Sequence, residues 1–238
     1  MKLSKIIIGF AVLLMANSYV TAQQADSDVK IIGAMKNVMW NGQLYGHIYL
    51  DTIADKQHLY GLGPVEYLSG ELLIFDGSSY KSTVLSEMTM KVEETYKVLA
   101  PFFGYANIDK WEEQRLPDSV QTMKQLEVYL DRTTRSARRP FMFKIAGTVD
   151  EATIHIVNLP QGTKVKSPND AHLGQTNFSL IDEEVDILGF FSTDHKAVFT
   201  HHDTYLHMHL ITSDRKKMGH LDYVFFKKGT IKLFLSAE

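Results

Sequence analysis

The chain has 238 residues, a formal net charge of −3 at pH 7 and no cysteine. A chain of this length can bury a substantial core, and without cysteine any metal ligands must be histidine, aspartate or glutamate. The acidic balance argues against nucleic-acid binding, because proteins that bind nucleic acids usually carry basic surfaces.

The first residues have the pattern of a secretory signal peptide. A short positively charged start precedes an apolar run from Ile6 to Met15, and Val20-Thr21-Ala22 has the small residues of a cleavage site. The apolar run is too short to span a bilayer comfortably. We therefore expect residues 1–22 to be removed and residues 23–238 to be exported as a soluble periplasmic or secreted protein without a membrane span.

Two segments have apolar residues at helical spacing. The first is Asp26–Trp40, with Ser27 or Asp28 as its cap, and the second is Leu116–Arg135, which Pro117-Asp118-Ser119 opens. We predict one helix in each segment.

Strand-like segments lie between the two predicted helices. We predict strands at Pro64–Leu68, at Leu72–Phe75 and near Tyr80–Val84, with Asp76-Gly77 as a hairpin turn. The segment Val92–Phe103 fits a strand or a helix equally well.

Strands dominate the chain after Pro140. The predicted strands cover residues 141–149, 152–159, 186–192, 196–202, 205–213, 220–226 and 229–235. A long loop is predicted at Pro160–Asn177, and long loops in compact domains often lie at a site. The whole pattern predicts an α+β fold with a mostly antiparallel, barrel-like sheet and a few helices, in two packed halves at residues 23–139 and 140–238.

Three histidines are spaced so that one β-hairpin brings them together. His207 and His209 share a face of a strand, because side chains at positions i and i+2 point the same way. If the chain turns around Asp214–Arg215, residues whose numbers sum to 429 lie opposite each other, which places His220 beside His209. A tight turn and a looser loop of the same parity both satisfy this register. Three imidazoles on one face are typical of a zinc site with an open coordination position.

An open metal site supports two kinds of chemistry. The metal can act as a Lewis acid on a small polar substrate, or it can activate water with the help of a carboxylate base, as in a zinc hydrolase. The spacing of the carboxylates does not select one of them as the partner. The candidates are Glu66, Glu71, Glu183, Glu184, Asp203 and Asp222.

Two separated motifs resemble those of the bacterial α-acetolactate decarboxylases. The segment YLHMHLITSDRKKMGHLDY, residues 205–223, resembles the metal-binding segment of that family and has the same histidine spacing. The segment GLGPVEYLSGELLIFDGSSY, residues 61–80, resembles a second family motif. The resemblance covers roughly Val29 to Leu233.

The resemblance implies a site and a reaction. It implies that His207, His209 and His220 bind zinc, although another divalent transition metal also suits three histidines. It implies that Glu71 is the active-site glutamate. The implied activity is that of a carboxy-lyase that converts 2-acetolactate, or a similar small 2-hydroxy-3-oxo acid, to acetoin and carbon dioxide.

Two departures from the family pattern define an alternative. His155 stands where the family has a catalytic arginine. We expect it either to act as a second catalytic residue, although it lacks the permanent charge of a guanidinium, or to be an ordinary residue of the strand. Arg135, Arg138 or Arg139 is a candidate source of that charge, and the chain stops at Glu238 without the family's C-terminal glutamate. The alternative is an exported zinc-binding protein of the same fold that holds a small carboxylate or sugar-like ligand without decarboxylating it. Homodimerisation is compatible with either function.

Overall fold

The computed structural model describes residues 29–196, 198, 200 and 204–236. The predicted signal peptide lies outside these residues. The helices of the described chain are α1 (Met35–Asn41), α2 (Met123–Thr133) and α3 (Pro168–Ala171). The strands are β1 (Lys30–Ile32), β2 (Ile48–Tyr49), β3 (Leu59–Pro64), β4 (Glu71–Phe75), β5 (Ser78–Ser86), β6 (Thr89–Glu94), β7 (Leu99–Ala100), β8 (Phe103–Asn107), β9 (Trp111–Arg115), β10 (Phe141–Ile156), β11 (Thr176–Phe191), β12 (Leu206–Thr212), β13 (Met218–Phe226) and β14 (Lys232–Ser236).

Two antiparallel sheets of six strands each form the body of the protein. The first has the order β1-β8-β3-β4-β5-β6, and the second has the order β11-β12-β13-β10-β14-β9. Strand β10 also pairs with β11 along nearly its whole length, so β10, β11, β12 and β13 close into a ring. The predicted α+β fold with barrel-like antiparallel sheet is confirmed. The first sheet spans residues 30–107 and the second residues 111–236, while the division into halves 23–139 and 140–238 stays a prediction.

The two sheets pack face to face through one apolar cluster. Its buried members are Tyr60, Leu62, Leu73, Ala106 and Ile108 from the first sheet segment, and Met142, Leu188, Phe190, Ile211 and Met218 from the second. Side chains alternate along a strand, so every second residue of β4, β12 and β13 points into the space between the sheets. The alternate residues of β12, such as Met208 and Leu210, belong instead to a core that includes Leu126 of α2.

The predicted helix Asp26–Trp40 is wrong over residues 30–34. Lys30–Ile32 forms strand β1, which pairs with β8, and the helix begins only at Met35. Gly33 separates the two elements with a φ of 70°, a conformation that glycine adopts without strain. Ala34 precedes the helix, and the predicted cap residues, Ser27 and Asp28, lie outside the described residues.

The predicted strand Pro64–Leu68 is also wrong, because the chain reverses there. Pro64 is the last residue of β3, and the backbone N–H of Val65 donates to the carbonyl oxygen of Gly70 at 2.8 Å. This loop pairs Pro64 with Glu71, so it fixes where β4 begins. The other strands predicted before the second helix are confirmed as β4 and β5, and Val92–Phe103 contributes to strands rather than to a helix.

The second predicted helix begins later than expected. Helix α2 starts at Met123, because Thr122 and Gln125 form a capping box in which each side chain bonds the backbone of the other. The preceding residues, Leu116–Gln121, form a turn after β9 instead of the first helical turns. No helix among the described residues is long and apolar enough to span a membrane.

The strand-rich second part of the chain is confirmed with different boundaries. The two strands predicted at residues 141–149 and 152–159 are one strand, β10, and β11 begins at Thr176, well before the predicted residue 186. In the segment 196–202, the described residues show only an isolated bridge between Lys196 and Thr200. The predicted loop contains α3.

Candidate metal centre

The β12–β13 hairpin has the predicted register. His209 lies directly opposite His220. The connection is the looser of the two alternatives, a loop at residues 213–216 above a bond from the N–H of Thr212 to the carbonyl oxygen of Lys217 at 2.9 Å. The parity of the turn therefore places both histidines on one face of the hairpin.

The three histidines of the hairpin form a compact buried cluster. His207, His209 and His220 are 2%, 0% and 7% exposed, and they offer ligand atoms that all lie within 4.8 Å of one another. They share the strand face of Ile211 and Met218, which fill the space between the two sheets. The cluster is thus a continuation of the inter-sheet core in which imidazoles replace apolar side chains.

Glu71 reaches the cluster from the first sheet. It lies two residues before Leu73 on β4, so both side chains point toward the second sheet. Its Oε2 atom is 3.6 Å from Nε2 of His209, and its Oε1 atom accepts a hydrogen bond from the N–H of Val157 at 3.3 Å. Burial raises the pKa of Glu71 well above its usual range, with a smaller contribution from the negative charge of Asp222, while the Val157 N–H opposes the shift.

His155 lies beside the cluster on β10. Its backbone is paired with that of His220, and the two ring centroids are 4.7 Å apart. Nδ1 of His155 is 2.8 Å and 2.7 Å from the two carboxylate oxygens of Asp222. Because a carboxylate only accepts, Nδ1 carries the proton of this bond, and the bond fixes the ring orientation. The other nitrogen, Nε2, lies 3.9 Å from Oε1 of Glu71.

A pocket opens onto this group of side chains. Its polar residues are Glu71, His155, His172, His207 and His220. Its remaining lining residues are Met35, Met39, Trp40, Pro64, Leu68, Phe102, Val157 and Pro168. A polar cluster at the base of a largely apolar pocket is the usual form of a small-molecule site. His172, in the predicted loop Pro160–Asn177, was not among the predicted site residues.

The other predicted carboxylates have different partners. Glu66 accepts a hydrogen bond from the N–H of Gly46 at 3.2 Å, and Glu183 pairs with Lys217 at 2.6 Å. Asp203 lies outside the described residues. Of the candidates that the sequence left open, the structure brings Glu71 to the histidine cluster and places Asp222 behind His155.

The family resemblance leads us to expect a positive charge in this pocket, and the described lining residues do not supply one. Among the described residues that line the pocket there is no Lys or Arg. Arg139 instead places its guanidinium 4.9 Å and 4.8 Å from the ring centroids of Phe141 and Phe191. The expectation that Arg135, Arg138 or Arg139 supplies this charge is therefore wrong for the described pocket.

The cluster fits a divalent transition metal. Three neutral imidazoles are a common donor set for zinc, and nitrogen ligands of one tetrahedral ion lie about 3.4 Å apart. The ligand atoms of His207, His209 and His220 lie at most 4.8 Å apart, a separation of the same order. All three histidines are buried.

Gly219 is required for the close approach of β13 to β10. A Cβ atom at this position would lie 2.5 Å from the carbonyl oxygen of His155. We expect Gly219→Ala to push the strands apart, to cost about 1–3 kcal/mol of unfolding free energy and to weaken zinc binding. Denaturant unfolding and zinc titration measure both effects. Lys216→Ala, in the loop of the same hairpin, is the control, and equal stability and zinc affinity of Gly219→Ala and wild type would contradict this account.

Comparison with known proteins agrees with the geometry. The sequence model of the alpha-acetolactate decarboxylase family matches residues 33–237. An acetolactate decarboxylase from Bacillus subtilis subspecies spizizenii has a TM-score of 0.72 and 20% identity, with 88% of this chain and 86% of that chain covered. The alpha-acetolactate decarboxylase of Bacillus subtilis strain 168 has a TM-score of 0.70 and 20% identity, with 88% and 85% covered.

A third structure has the same fold. It is a Staphylococcus aureus protein of unknown function, described as similar to alpha-acetolactate decarboxylase, with a TM-score of 0.71, 16% identity, and 87% of this chain and 84% of that chain covered. No curated protein sequence matches the chain at a significant level. Since the family model spans nearly all of the described residues, the chain belongs to the alpha-acetolactate decarboxylase family.

Proposed function

We propose that the protein decarboxylates 2-acetolactate, or a similar 2-hydroxy-3-oxo acid, to acetoin and carbon dioxide with a divalent metal, zinc in the first place. One observation carries the proposal: a buried carboxyl group from the opposite sheet meets the cluster of three imidazoles, with Glu71 Oε2 3.6 Å from His209 Nε2. Glu71, His207 and His220 of this group line one pocket. Membership of the family supports the reaction class.

The reaction needs an electron sink and a proton. When carbon dioxide leaves, the electron pair of the broken bond stays on the substrate as an enediolate, and one of the enediolate carbons must then gain a proton. A divalent ion held by His207, His209 and His220 would supply Lewis-acid stabilisation of the charge that develops on the substrate oxygens. The chain itself must position the substrate and deliver the proton to one face.

Glu71 and His155 are our candidates for these tasks. Glu71 lines the pocket, and a carboxyl group there could donate a proton to a bound substrate or accept one from it. His155 is oriented by Asp222 and faces the pocket with Nε2, in the position that the resemblance gives to a catalytic arginine. The apolar wall opposite excludes water, which strengthens each polar contact in the pocket.

Removal of the metal is expected to abolish enzymatic acetoin formation. Zinc-loaded protein should form acetoin from 2-acetolactate well above the spontaneous rate, treatment with a chelator should return the rate to background, and added zinc should restore it. A colorimetric acetoin assay follows all three states. Background rates from fully zinc-loaded protein would contradict the decarboxylase proposal and leave the family assignment intact.

A binding protein of the same fold is the second candidate. The observation in its favour is that no Lys or Arg is found among the described residues of the pocket wall, so a family feature for handling the carboxylate is missing. This candidate predicts saturable calorimetric binding of a small carboxylate or sugar-like ligand to the zinc-loaded protein without release of carbon dioxide.

Export and a small-molecule partner complete the proposal. The pattern of the first 22 residues supports export to the periplasm or medium, and the acidic balance supports a partner other than nucleic acid. Recovery of a chain beginning at Gln23 from the periplasmic or culture fraction tests the export. Light scattering of that mature chain tests homodimerisation.

A further inference from the structure

We propose that a second cavity of the protein, between β12 and β13, is the route by which the metal ion reaches the histidine cluster. This inference rests on the metal centre of the proposed function and not on the decarboxylation itself. Its test follows uptake and release of the metal without substrate, so that the two proposals can fail separately.

The histidine cluster needs a route because its ligands are buried. His209 is fully buried, and His220 is the most exposed of the three histidines at only 7%. A divalent ion in water is hydrated, and moving it through an apolar passage costs a large amount of free energy unless polar groups take the place of its water. The route must therefore be wide or lined with such groups.

The two strands of the hairpin separate directly beyond the cluster. Their pairing ends at His209 and His220. From there β12 stays paired with β11 as far as Leu206, while β13 pairs with β10. The separated strands and helix α2 border a cavity of about 310 Å³, and His220 is one of its lining residues. The cavity thus leads to one of the three proposed metal ligands.

Glu127 of α2 fixes one wall of this cavity. Its Oε2 atom accepts hydrogen bonds from the N–H of Tyr205, at 2.8 Å, and from the hydroxyl group of Thr204. Its Oε1 atom accepts one from Lys124 at 2.7 Å. Tyr205 directly precedes β12, so these bonds attach the start of β12 to the helix. The separation of β12 from β13 is therefore supported by hydrogen bonds.

Asp222 supplies a charge that favours a cation in the cavity. It lies two residues after His220 on β13 and lines the cavity, and its side chain is 34% exposed. Its partner among the described residues is Nδ1 of His155, which donates one hydrogen bond, whereas a carboxylate can accept about four. Met123 and Met208 also line the cavity, and their thioethers are weak acceptors. A cation that enters here meets oxygen and sulfur acceptors in the same space as His220.

The pocket beside Glu71 is the alternative route, and its dimensions favour it less. Its volume is about 70 Å³, against about 310 Å³ for the cavity. Apolar side chains dominate its wall, among them Met39, Trp40 and Phe102. His220 lines both spaces. The metal and the substrate would thus reach the cluster from different sides.

Removal of the positive charge of Lys124 should speed metal uptake. Lys124 lines the cavity and its side chain is 79% exposed, so Lys124→Ala leaves the core intact. Charged clefts change association rates by about 10- to 10³-fold, and for this single charge we expect the lower end, about tenfold. The effect should disappear at high salt, which screens exposed charges.

The main test blocks the cavity and compares the rates of uptake and release. Stopped-flow absorbance follows uptake of Co²⁺, which is coloured when histidines bind it, by the metal-free full chain, and an excess of chelator then gives the rate of release. Met123→Trp places a larger side chain in the cavity from the first turn of α2. Val128→Trp, at a position of the same helix that is 56% exposed, is the matched control. Trp40→Ala widens the other pocket.

We expect Met123→Trp to slow uptake and release by the same factor, about tenfold or more, and to leave the Kd for Co²⁺ unchanged. An obstacle on the route raises the barrier in both directions without changing the bound state. Val128→Trp and Trp40→Ala should have wild-type rates.

Three results would overturn the route. They are wild-type rates in Met123→Trp, faster uptake in Trp40→Ala, and a loss of Co²⁺ affinity in Met123→Trp at an unchanged rate of uptake, which would place the effect at the cluster. Should Met123→Trp fail to fold, wild-type uptake by Lys124→Ala overturns it. Uptake by this route in a protein that forms no acetoin would instead refute the decarboxylase proposal and leave the route standing.

Discussion

His209→Ala is expected to abolish stoichiometric zinc binding and to reduce acetoin formation to the spontaneous background. His209 is fully buried between the other two histidines, with ring centroids 5.4 Å from His207 and 5.3 Å from His220. Removal of one of three protein ligands should weaken zinc affinity by more than about 100-fold, since the loss of an outer-shell partner alone costs 10- to 100-fold. Elemental analysis after desalting measures the zinc per chain.

Two further variants are the controls for this prediction. His209→Gln replaces the buried imidazole with a side chain of similar size, so its circular dichroism separates loss of metal from loss of fold. His58→Ala, at a half-exposed histidine paired with Asp76 outside the pocket, should retain one zinc per chain. A His209→Ala protein that still holds one full equivalent of zinc would show that the site is misassigned.

Glu71→Gln is expected to retain the bound metal and to lose most of the decarboxylase activity. The amide fills the same buried space and can still accept the hydrogen bond from Val157, but it cannot hold a transferable proton. Loss of general acid–base catalysis typically costs about 10²- to 10⁴-fold in rate, so we expect a fall of this size in kcat/KM at unchanged zinc content.

The control for this substitution is Glu94→Gln, at an exposed glutamate of the same sheet. It should have the zinc content and kcat/KM of wild type. An activity of Glu71→Gln within about threefold of wild type, a difference well under 1 kcal/mol, would remove Glu71 from the mechanism.

The clustering of the three hairpin histidines could be predicted because it depends on local rules. Strand alternation and the parity of one turn decide that His207, His209 and His220 share a face, and both rules hold whatever the rest of the chain does. Glu71 is different, because it comes from the opposite sheet and no local rule links it to the hairpin. Only the family resemblance connected the two motifs, and the packing of the sheets supplies the physical reason.

The remaining errors arose where tertiary contacts overrule local preference. Ile31 and Ile32 fit an amphipathic helix, yet they pair with β8 at the edge of the first sheet. His172 lies in a loop, where no periodicity shows which way a side chain points, so its place in the pocket could not be read from spacing. Thr122 and Gln125 have the spacing of a capping box and indicate the true start of α2. The prediction instead placed the start at Pro117-Asp118-Ser119, which also has the composition of a helix start.

We propose that this pocket, with the histidine cluster beside Glu71, both removes the carboxylate and directs the proton to one face of the substrate. The most direct measurement is the enantiomeric composition of the acetoin formed by zinc-loaded protein, determined by chiral gas chromatography. A proton delivered by side chains of a chiral pocket should give a large excess of one enantiomer at a rate well above background. Racemic acetoin at the spontaneous rate would contradict the account.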